Sequence, residues 1–299
     1  MHHNGFSPQR YLPESTGPGV AIFDYNNDGW MDILFVDSGS SVFYKPPVPL
    51  HPVLYRNNGN GTFTDVSKEA GLSADLFGQG VAVADYDGDG YEDIFISGYG
   101  KCVLYHNNGN GTFTDVTAAS GIAPTQWGSS AVWFDYDNDG KLDLFVGEFV
   151  DYSSLRVCSA SESYGGGSES GQSTFYCTPQ IFRPMPSQLY RNLGNGKFAD
   201  VSAGTGISSQ PGKAWGVVAT DIWRRLPGPL RWLVTRFMVS PAEGARTTIY
   251  CATDPTLAGV SGRYYDRQRE ATPSLNAQDD ALAVRLWEES EKMAGLAPG

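Results

Sequence analysis

The stretch VADYDGDGYEDIFIS, residues 83–97, decides the fold because it places an acidic loop directly before a short apolar strand. Related stretches are IFDYNNDGWMDILFV at residues 22–36 and WFDYDNDGKLDLFVG at residues 133–147. Counted from the first Asp of each loop, positions 1, 3, 5 and 9 are Asp or Asn, and position 6 is Gly. Such self-similarity along a chain is typical of repeat architectures.

A second motif alternates with the acidic loop. It is LYRNNGNGTFTDVS at residues 54–67, and it returns at residues 104–117 and 189–202. Its Asn-Gly pairs favour the positive φ angles of a tight hairpin, so each copy predicts strand, turn, strand. The apolar runs are short and rich in branched and aromatic residues, which also favours strands. Four short strands per repeat predict a propeller blade.

The acidic loops have the composition of a calcium site. Ca²⁺ binds six to eight oxygens, and alternate side chains of a curled loop can all point inward, with the carbonyl of position 7 adding another oxygen. This pattern predicts up to three Ca²⁺ sites. Their expected ligands are Asp24, Asn26, Asp28, Trp30 and Asp32; Asp85, Asp87, Asp89, Tyr91 and Asp93; and Asp135, Asp137, Asp139, Lys141 and Asp143.

The alternative is that these carboxylates only form Asx turns with their own backbone. Three loops in register favour a cation, because so much like charge in a small space is costly without one. Asn26 leaves the first loop with one carboxylate fewer than the others, so we expect it to bind most weakly.

Residues 1–216 resemble the FG-GAP or VCBS-type repeats of integrin α-chain propellers and of bacterial proteins related to cartilage acidic protein. The resemblance is carried by the DYDNDG and LYRNNGNGTFTDVS motifs. It implies a calcium-stabilised, non-enzymatic, extracellular or periplasmic module that binds a protein or glycan ligand. Family propellers have about seven blades, whereas this chain encodes about three, so we expect a partial propeller whose open sheet edge supports self-association.

Charge and hydropathy argue against nucleic acid as a partner and against a membrane span. The net charge of −12 argues against nucleic acid, which requires clustered Lys and Arg. No apolar run is long enough to span a membrane, and the first residues lack the pattern of a signal peptide.

A domain boundary is predicted near residue 216. Residues 1–216 contain 11 Lys and Arg and 23 Asp and Glu, whereas residues 217–299 contain 10 of each. The later segment predicts a small α/β fragment: one helix beginning near Ser240, a strand at residues 260–265, and a second helix over about residues 276–294.

This tail resembles the C-terminal end of short-chain dehydrogenases of the retinol dehydrogenase type. The stretches GVVATDIWR (residues 216–224) and LWEESEKM (residues 286–293) carry the resemblance, together with residues 240–266. Residues 1–216 contain neither a Tyr-x-x-x-Lys pair nor a Gly-rich nucleotide motif, so we expect no enzymatic activity. The alternatives are an oxidoreductase fragment and a non-functional product of two coding sequences joined at residues 216–221.

Cys158 and Cys177 flank a Ser- and Gly-rich insertion. They could close a disulfide in an oxidising compartment, or remain two free thiols beside a flexible loop.

Overall fold

The computed structural model describes residue 5, residues 7–159, 162–163 and 174–217, and two short strands near the C-terminus. The chain divides into two units, Met1–Ala219 and Thr220–Gly299.

The first unit contains three four-stranded sheets, called blades 1 to 3, and in each of them neighbouring strands are antiparallel and follow chain order. Blade 1 is β1 (Val20–Phe23), β2 (Asp32–Phe35), β3 (Val53–Asn57) and β4 (Phe63–Asp65). Blade 2 is β5 (Phe77–Ala84), β6 (Asp93–Tyr99), β7 (Cys102–Asn107) and β8 (Phe113–Asp115). Blade 3 is β9 (Gly128–Phe134), β10 (Asp143–Glu148), β11 (Gln188–Asn192) and β12 (Phe198–Asp200). The prediction of a mainly β protein with three propeller-like blades is confirmed.

The Asn-Gly motif forms the hairpin between the last two strands of each blade. In blade 1, Asn57 pairs with Phe63, and the Asn58 amide donates to the Thr62 carbonyl at 3.0 Å. Gly59 and Gly61 in this turn have φ angles of 70° and 82°, which an L side chain rarely adopts. The sequence therefore encodes strand, turn, strand here, as predicted.

Blade 2 is buried on both of its faces. Val81 and Val83 of β5 pack toward blade 1, whereas Ala82 and Ala84 pack toward blade 3. Because successive side chains of a strand point to opposite faces, β5 contributes side chains to two separate hydrophobic cores. The residue before β1 lies close to β5, since the Gly19 amide donates to the Gln79 carbonyl at 2.6 Å.

The helices of this unit are short. The α-helix α1 (Thr117–Ser120) connects blades 2 and 3, and 3-10 turns cover Leu12–Ser15 before β1, Pro179–Ile181 between β10 and β11, and Ile207–Ser209 after β12. A third core cluster joins Trp127 and Tyr152 to the cysteine pair. None of the helices in the described ranges has the length and apolar character needed to span a bilayer.

In the second unit, β13 (Tyr264–Asp266) and β14 (Arg269–Ala271) form an antiparallel pair. The strand expected at residues 260–265 overlaps β13. The two predicted tail helices lie outside the described residues, and the boundary near residue 216 stays a prediction.

Candidate metal loops

The three acidic loops, called loops 1 to 3, connect the first and second strands of blades 1 to 3. Each loop is curled by the carboxylate at position 1. In loop 2, Asp85 accepts the Asp89 amide at 3.0 Å and the Gly90 amide at 2.9 Å. The position-1 residues Asp24 and Asp135 accept the equivalent pairs of amides. The backbone of the loop is therefore closed around this carboxylate.

Two loop positions need a left-handed backbone. Position 6 has φ angles of 88°, 95° and 91° at Gly29, Gly90 and Gly140, which explains the invariant Gly. Position 4 also has positive φ, and it holds Asn27, Gly88 or Asn138. Asn and Gly tolerate this conformation best, and this second signal was missed in the sequence analysis.

The position-9 carboxylates are fully buried. Asp93 accepts the Tyr86 amide at 3.1 Å and the Asn107 amide at 2.8 Å, so it joins loop 2 to the end of β7. Asp32 and Asp143 make the same two bonds in their own blades. Each carboxylate oxygen has a second lone pair, so these bonds leave room for a cation.

Burial disfavours the charged form of these groups. Loss of solvation raises the pKa of Asp93 to about 7, partly opposed by the hydrogen bonds that it accepts from Asn107 and Tyr86. The pKa values of Asp32 and Asp143 are raised for the same reason. By contrast, a hydrogen bond from Lys141 lowers the pKa of the exposed Asp139.

Carboxylate oxygens converge in two of the loops, at positions 1, 3 and 5 of loop 2 and at positions 1, 3 and 9 of loop 3. In loop 2, carboxylate oxygens of Asp85, Asp87 and Asp89 lie within 4.8 Å of one another. In loop 3, the same holds for Asp135, Asp137 and Asp143. Among the described residues, loop 1 forms no such group, and there the amide nitrogen of Asn26 donates to Asp28 at 2.9 Å.

Position 7 is occupied by Trp30, Tyr91 and Lys141. Their backbone amides donate to the position-5 carboxylates at 2.9–3.0 Å. Their side chains cover the glycines of the adjacent hairpin: a Cβ at Gly59 would lie 2.8 Å from the Trp30 ring, and one at Gly109 would lie 2.8 Å from the Tyr91 ring. The role of the position-7 carbonyls as ligands stays a prediction.

A basic residue on the third strand of each blade accompanies the loop. It is Arg56, His106 or Arg191, at the third position of the LYRN, LYHN and LYRN motifs. His106 Nδ1 lies 3.2 Å from Asp87 Oδ2, and Arg191 Nε lies 2.7 Å from Asp137 Oδ2. These residues were not predicted from the sequence, although a basic side chain at the same place in three repeats was the available signal.

The donor set fits calcium. The converging side chains of loops 2 and 3 offer only oxygens, which hard cations prefer. Asp137 Oδ1 is buried and has no hydrogen-bond partner within the described part of the chain. A bound cation would provide that partner, and it would also offset the desolvation of the buried carboxylates.

The cysteine pair lies in the third core cluster. Cys158 and Cys177 form a disulfide with a Cα–Cα distance of 5.1 Å. Cys102 at the start of β7 is a free thiol, and burial raises its pKa to about 11.

Comparison with known proteins identifies the repeats. A family model described as an FG-GAP-like repeat matches residues 24–96 and residues 85–146. The chain therefore contains FG-GAP-like repeats across residues 24–146, which include loops 1 to 3.

Curated relatives match a C-terminal segment instead. Dehydrogenase/reductase SDR family member 13 of Bos taurus is 38% identical over 128 residues, covering 38% of this chain and 33% of the bovine protein. Retinol dehydrogenase 14 of Homo sapiens is 41% identical over 87 residues, covering 27% of this chain and 26% of the human protein. The chain thus spans a third or less of these relatives, and the expected similarity of the tail to retinol dehydrogenases is confirmed.

Among solved structures, the chain is similar to a lectin of Agrocybe aegerita that recognises non-reducing terminal N-acetylglucosamine. The similarity has a TM-score of 0.31 and 18% identity, and it covers 60% of this chain and 36% of the lectin.

Proposed function

We propose that residues 1–216 form a calcium-binding, non-catalytic interaction module of FG-GAP-like repeats. The observation that carries this proposal is the shared construction of the loops. In all three, the position-1 and position-9 carboxylates accept equivalent backbone amides. In loops 2 and 3, carboxylate oxygens also lie within 4.8 Å of one another. Loops built alike in successive blades are expected to bind the same kind of ion.

Electrostatics supports a cation in these loops. Asp93 and Asp143 are fully buried, and neighbouring carboxylates raise their pKa values further. A divalent ion would reverse this effect, because opposite charge favours the ionised carboxylate.

The interaction role rests on the FG-GAP-like repeats, with an unidentified protein or glycan as ligand. Trp30 and Met31 are more than half exposed beside loop 1, where large apolar side chains are available to a partner. The disulfide between Cys158 and Cys177 supports an extracellular or periplasmic location, because such bonds persist in oxidising compartments.

Isothermal titration with Ca²⁺ tests the metal proposal. Asp89→Asn and Asp139→Asn each replace a loop carboxylate with an amide of the same shape, and each should remove one binding event. Glu69→Gln is the matched control, because Glu69 is an exposed acid outside the loops. Absence of Ca²⁺ uptake at millimolar concentrations would overturn the proposal. Equal effects of all three variants would also contradict it, because they would show that Ca²⁺ is attracted nonspecifically by negative charge.

The second candidate function is that of an oxidoreductase fragment, in which the tail completes a dehydrogenase site in trans. The similarity of the C-terminal segment to dehydrogenases favours it. Thermal stabilisation by NADPH in the absence of Ca²⁺ would support this function, whereas stabilisation by Ca²⁺ alone would support the repeat module.

The third alternative is a non-functional fusion. Sequencing the gene across codons 210–230 tests it, since an uninterrupted propeller gene there would exclude a natural fusion.

A further inference from the structure

We propose that loop 2 also provides a site for a divalent transition metal such as Zn²⁺, bound by Asp87, Asp93 and His106. This site differs from the calcium set in containing a ring nitrogen. It stands on the geometry around His106 and does not depend on calcium binding by any loop.

The three donors are close together and correctly spaced. His106 Nδ1 lies 3.2 Å from Asp87 Oδ2 and 3.3 Å from Asp93 Oδ1, and all three ligand atoms lie within 4.8 Å of one another. Zn²⁺ bonds to nitrogen and oxygen are about 2.0–2.2 Å, which places neighbouring ligands of a tetrahedral site roughly 3.3–3.6 Å apart. The distances of 3.2 Å and 3.3 Å from His106 lie at the short end of this range, within about 0.1 Å of it.

Two of the three ligands, Asp93 and His106, are positioned by the fold itself. Asp93 is fully buried and is fixed by the amides of Tyr86 and Asn107. His106 Nδ1 is also buried, and it makes no hydrogen bond of normal geometry within the described ranges. A buried ring nitrogen that faces two carboxylates without a hydrogen bond is in the position of a metal ligand.

Ligand chemistry favours a transition metal at this place. Imidazole nitrogen suits Zn²⁺ and related ions, whereas Ca²⁺ and Mg²⁺ prefer oxygen. Loops 1 and 3 have Arg56 and Arg191 at the equivalent position, and a guanidinium has no lone pair to donate. The site is therefore expected in loop 2 alone.

The competing interpretation is that His106 is a protonated counter-ion of Asp87 and Asp93, as the two short contacts also permit. Replacing His106 with the residue found at the same position in the other two repeats distinguishes the two interpretations. His106→Arg preserves the positive charge and reproduces the residue of loops 1 and 3, but it removes the ligand nitrogen.

The experiment is titration of the full chain with Zn²⁺ by calorimetry and with Co²⁺ by visible absorption. Substitution of a residue that only contacts a metal ligand lowers metal affinity roughly 10–100-fold. His106→Arg removes a ligand itself, so it should lower the affinity of the tightest Zn²⁺ and Co²⁺ site by at least as much. Arg191→His, which places the same ring beside Asp137, should create a second site. His2, His3 and His51 are present in all three proteins, so any contribution from them cancels.

Unchanged Zn²⁺ and Co²⁺ affinity in His106→Arg would overturn the proposal. The same variant titrated with Ca²⁺ is the second measurement, because the loop oxygens remain. Loss of Zn²⁺ binding with retained Ca²⁺ binding supports the mixed site. Failure of Ca²⁺ binding together with His106-dependent Zn²⁺ binding would refute only the calcium proposal.

Discussion

The side-chain amide of Asn107 in blade 2 donates a hydrogen bond to the backbone carbonyl of Tyr25 in loop 1, at 2.8 Å. Asn192 in blade 3 makes the same bond to Tyr86 in loop 2, also at 2.8 Å. The backbone amide of each of these Asn residues also donates to the position-9 carboxylate of its own loop. The acidic loop of one blade is therefore attached to the third strand of the next, and we expect order in a loop to stabilise the neighbouring blade.

The first prediction tests this attachment. Asn107→Ala should lower the free energy of unfolding by about 1–2 kcal/mol more than Asn57→Ala does, because it leaves a buried carbonyl in another blade without its donor. Asn57 is the matched control, since its side-chain amide donates only to Met31 of its own loop within the described residues. Urea unfolding with Ca²⁺ present measures both, and equal losses would contradict the coupling.

The second prediction concerns removal of metal. Chelation of Ca²⁺ should lower the melting temperature, since an ion that binds only the folded state stabilises it by about 2.7 kcal/mol at a concentration of about 100 times its Kd. Asp28→Asn should reduce this shift least, because loop 1 forms no converging carboxylate group among the described residues. A melting temperature that is independent of Ca²⁺ would contradict the prediction.

The repeats and strands could be predicted from sequence because their signals are local. Asn-Gly turns, the position-6 Gly and the short apolar runs rich in branched and aromatic residues each fix one feature over a few residues. The bond from Asn107 to Tyr25 joins residues far apart in the chain, so no local pattern reports it.

The same limit applies to the candidate sites. The loop carboxylates were recognised by spacing, but the contact of His106 with Asp87 depends on how β7 lies beside the loop. The tail's helices lie outside the described residues, so their prediction is not tested.

The third prediction concerns a glycine where two blades meet. Gly121 has a φ of 84°, and a Cβ there would lie 2.8 Å from the Phe198 carbonyl of blade 3. Gly111 has a φ of 83°, but nothing lies within 4 Å of its Cβ position. Both Ala variants should suffer the left-handed strain of about 1 kcal/mol, but Gly121→Ala should lose further stability because backbone must move. Equal denaturation midpoints would show that the blades do not meet tightly here.

The fourth prediction uses Glu148, which is buried at the end of β10 and accepts the amides of Gln126 and Trp127. Burial raises its pKa above the ordinary value of 4.5, and the two amide bonds only partly oppose this effect. The folded state thus holds the proton of Glu148 more tightly than the unfolded state does. The stability that this protonated carboxyl contributes is fully present below pH 4.5 and is lost as the pH rises through the pKa of the folded state. The unfolding free energy of the wild type relative to Glu148→Gln should fall across that window, and a difference independent of pH would contradict the shift.

The last prediction concerns the outer face of blade 1. Val20 and Ile22 of β1 are 54% and 65% exposed, whereas their counterparts Val81 and Val83 in β5 pack against the core between blades 1 and 2. Exposed apolar strands favour pairing with a second copy of the chain, so Ile22→Ser should reduce self-association in sedimentation experiments while costing less than about 0.5 kcal/mol of stability. Val83→Ser is the matched control, and it should cost about 1–3 kcal/mol because it removes buried apolar surface. Unchanged association in Ile22→Ser would show that copies do not meet through this face.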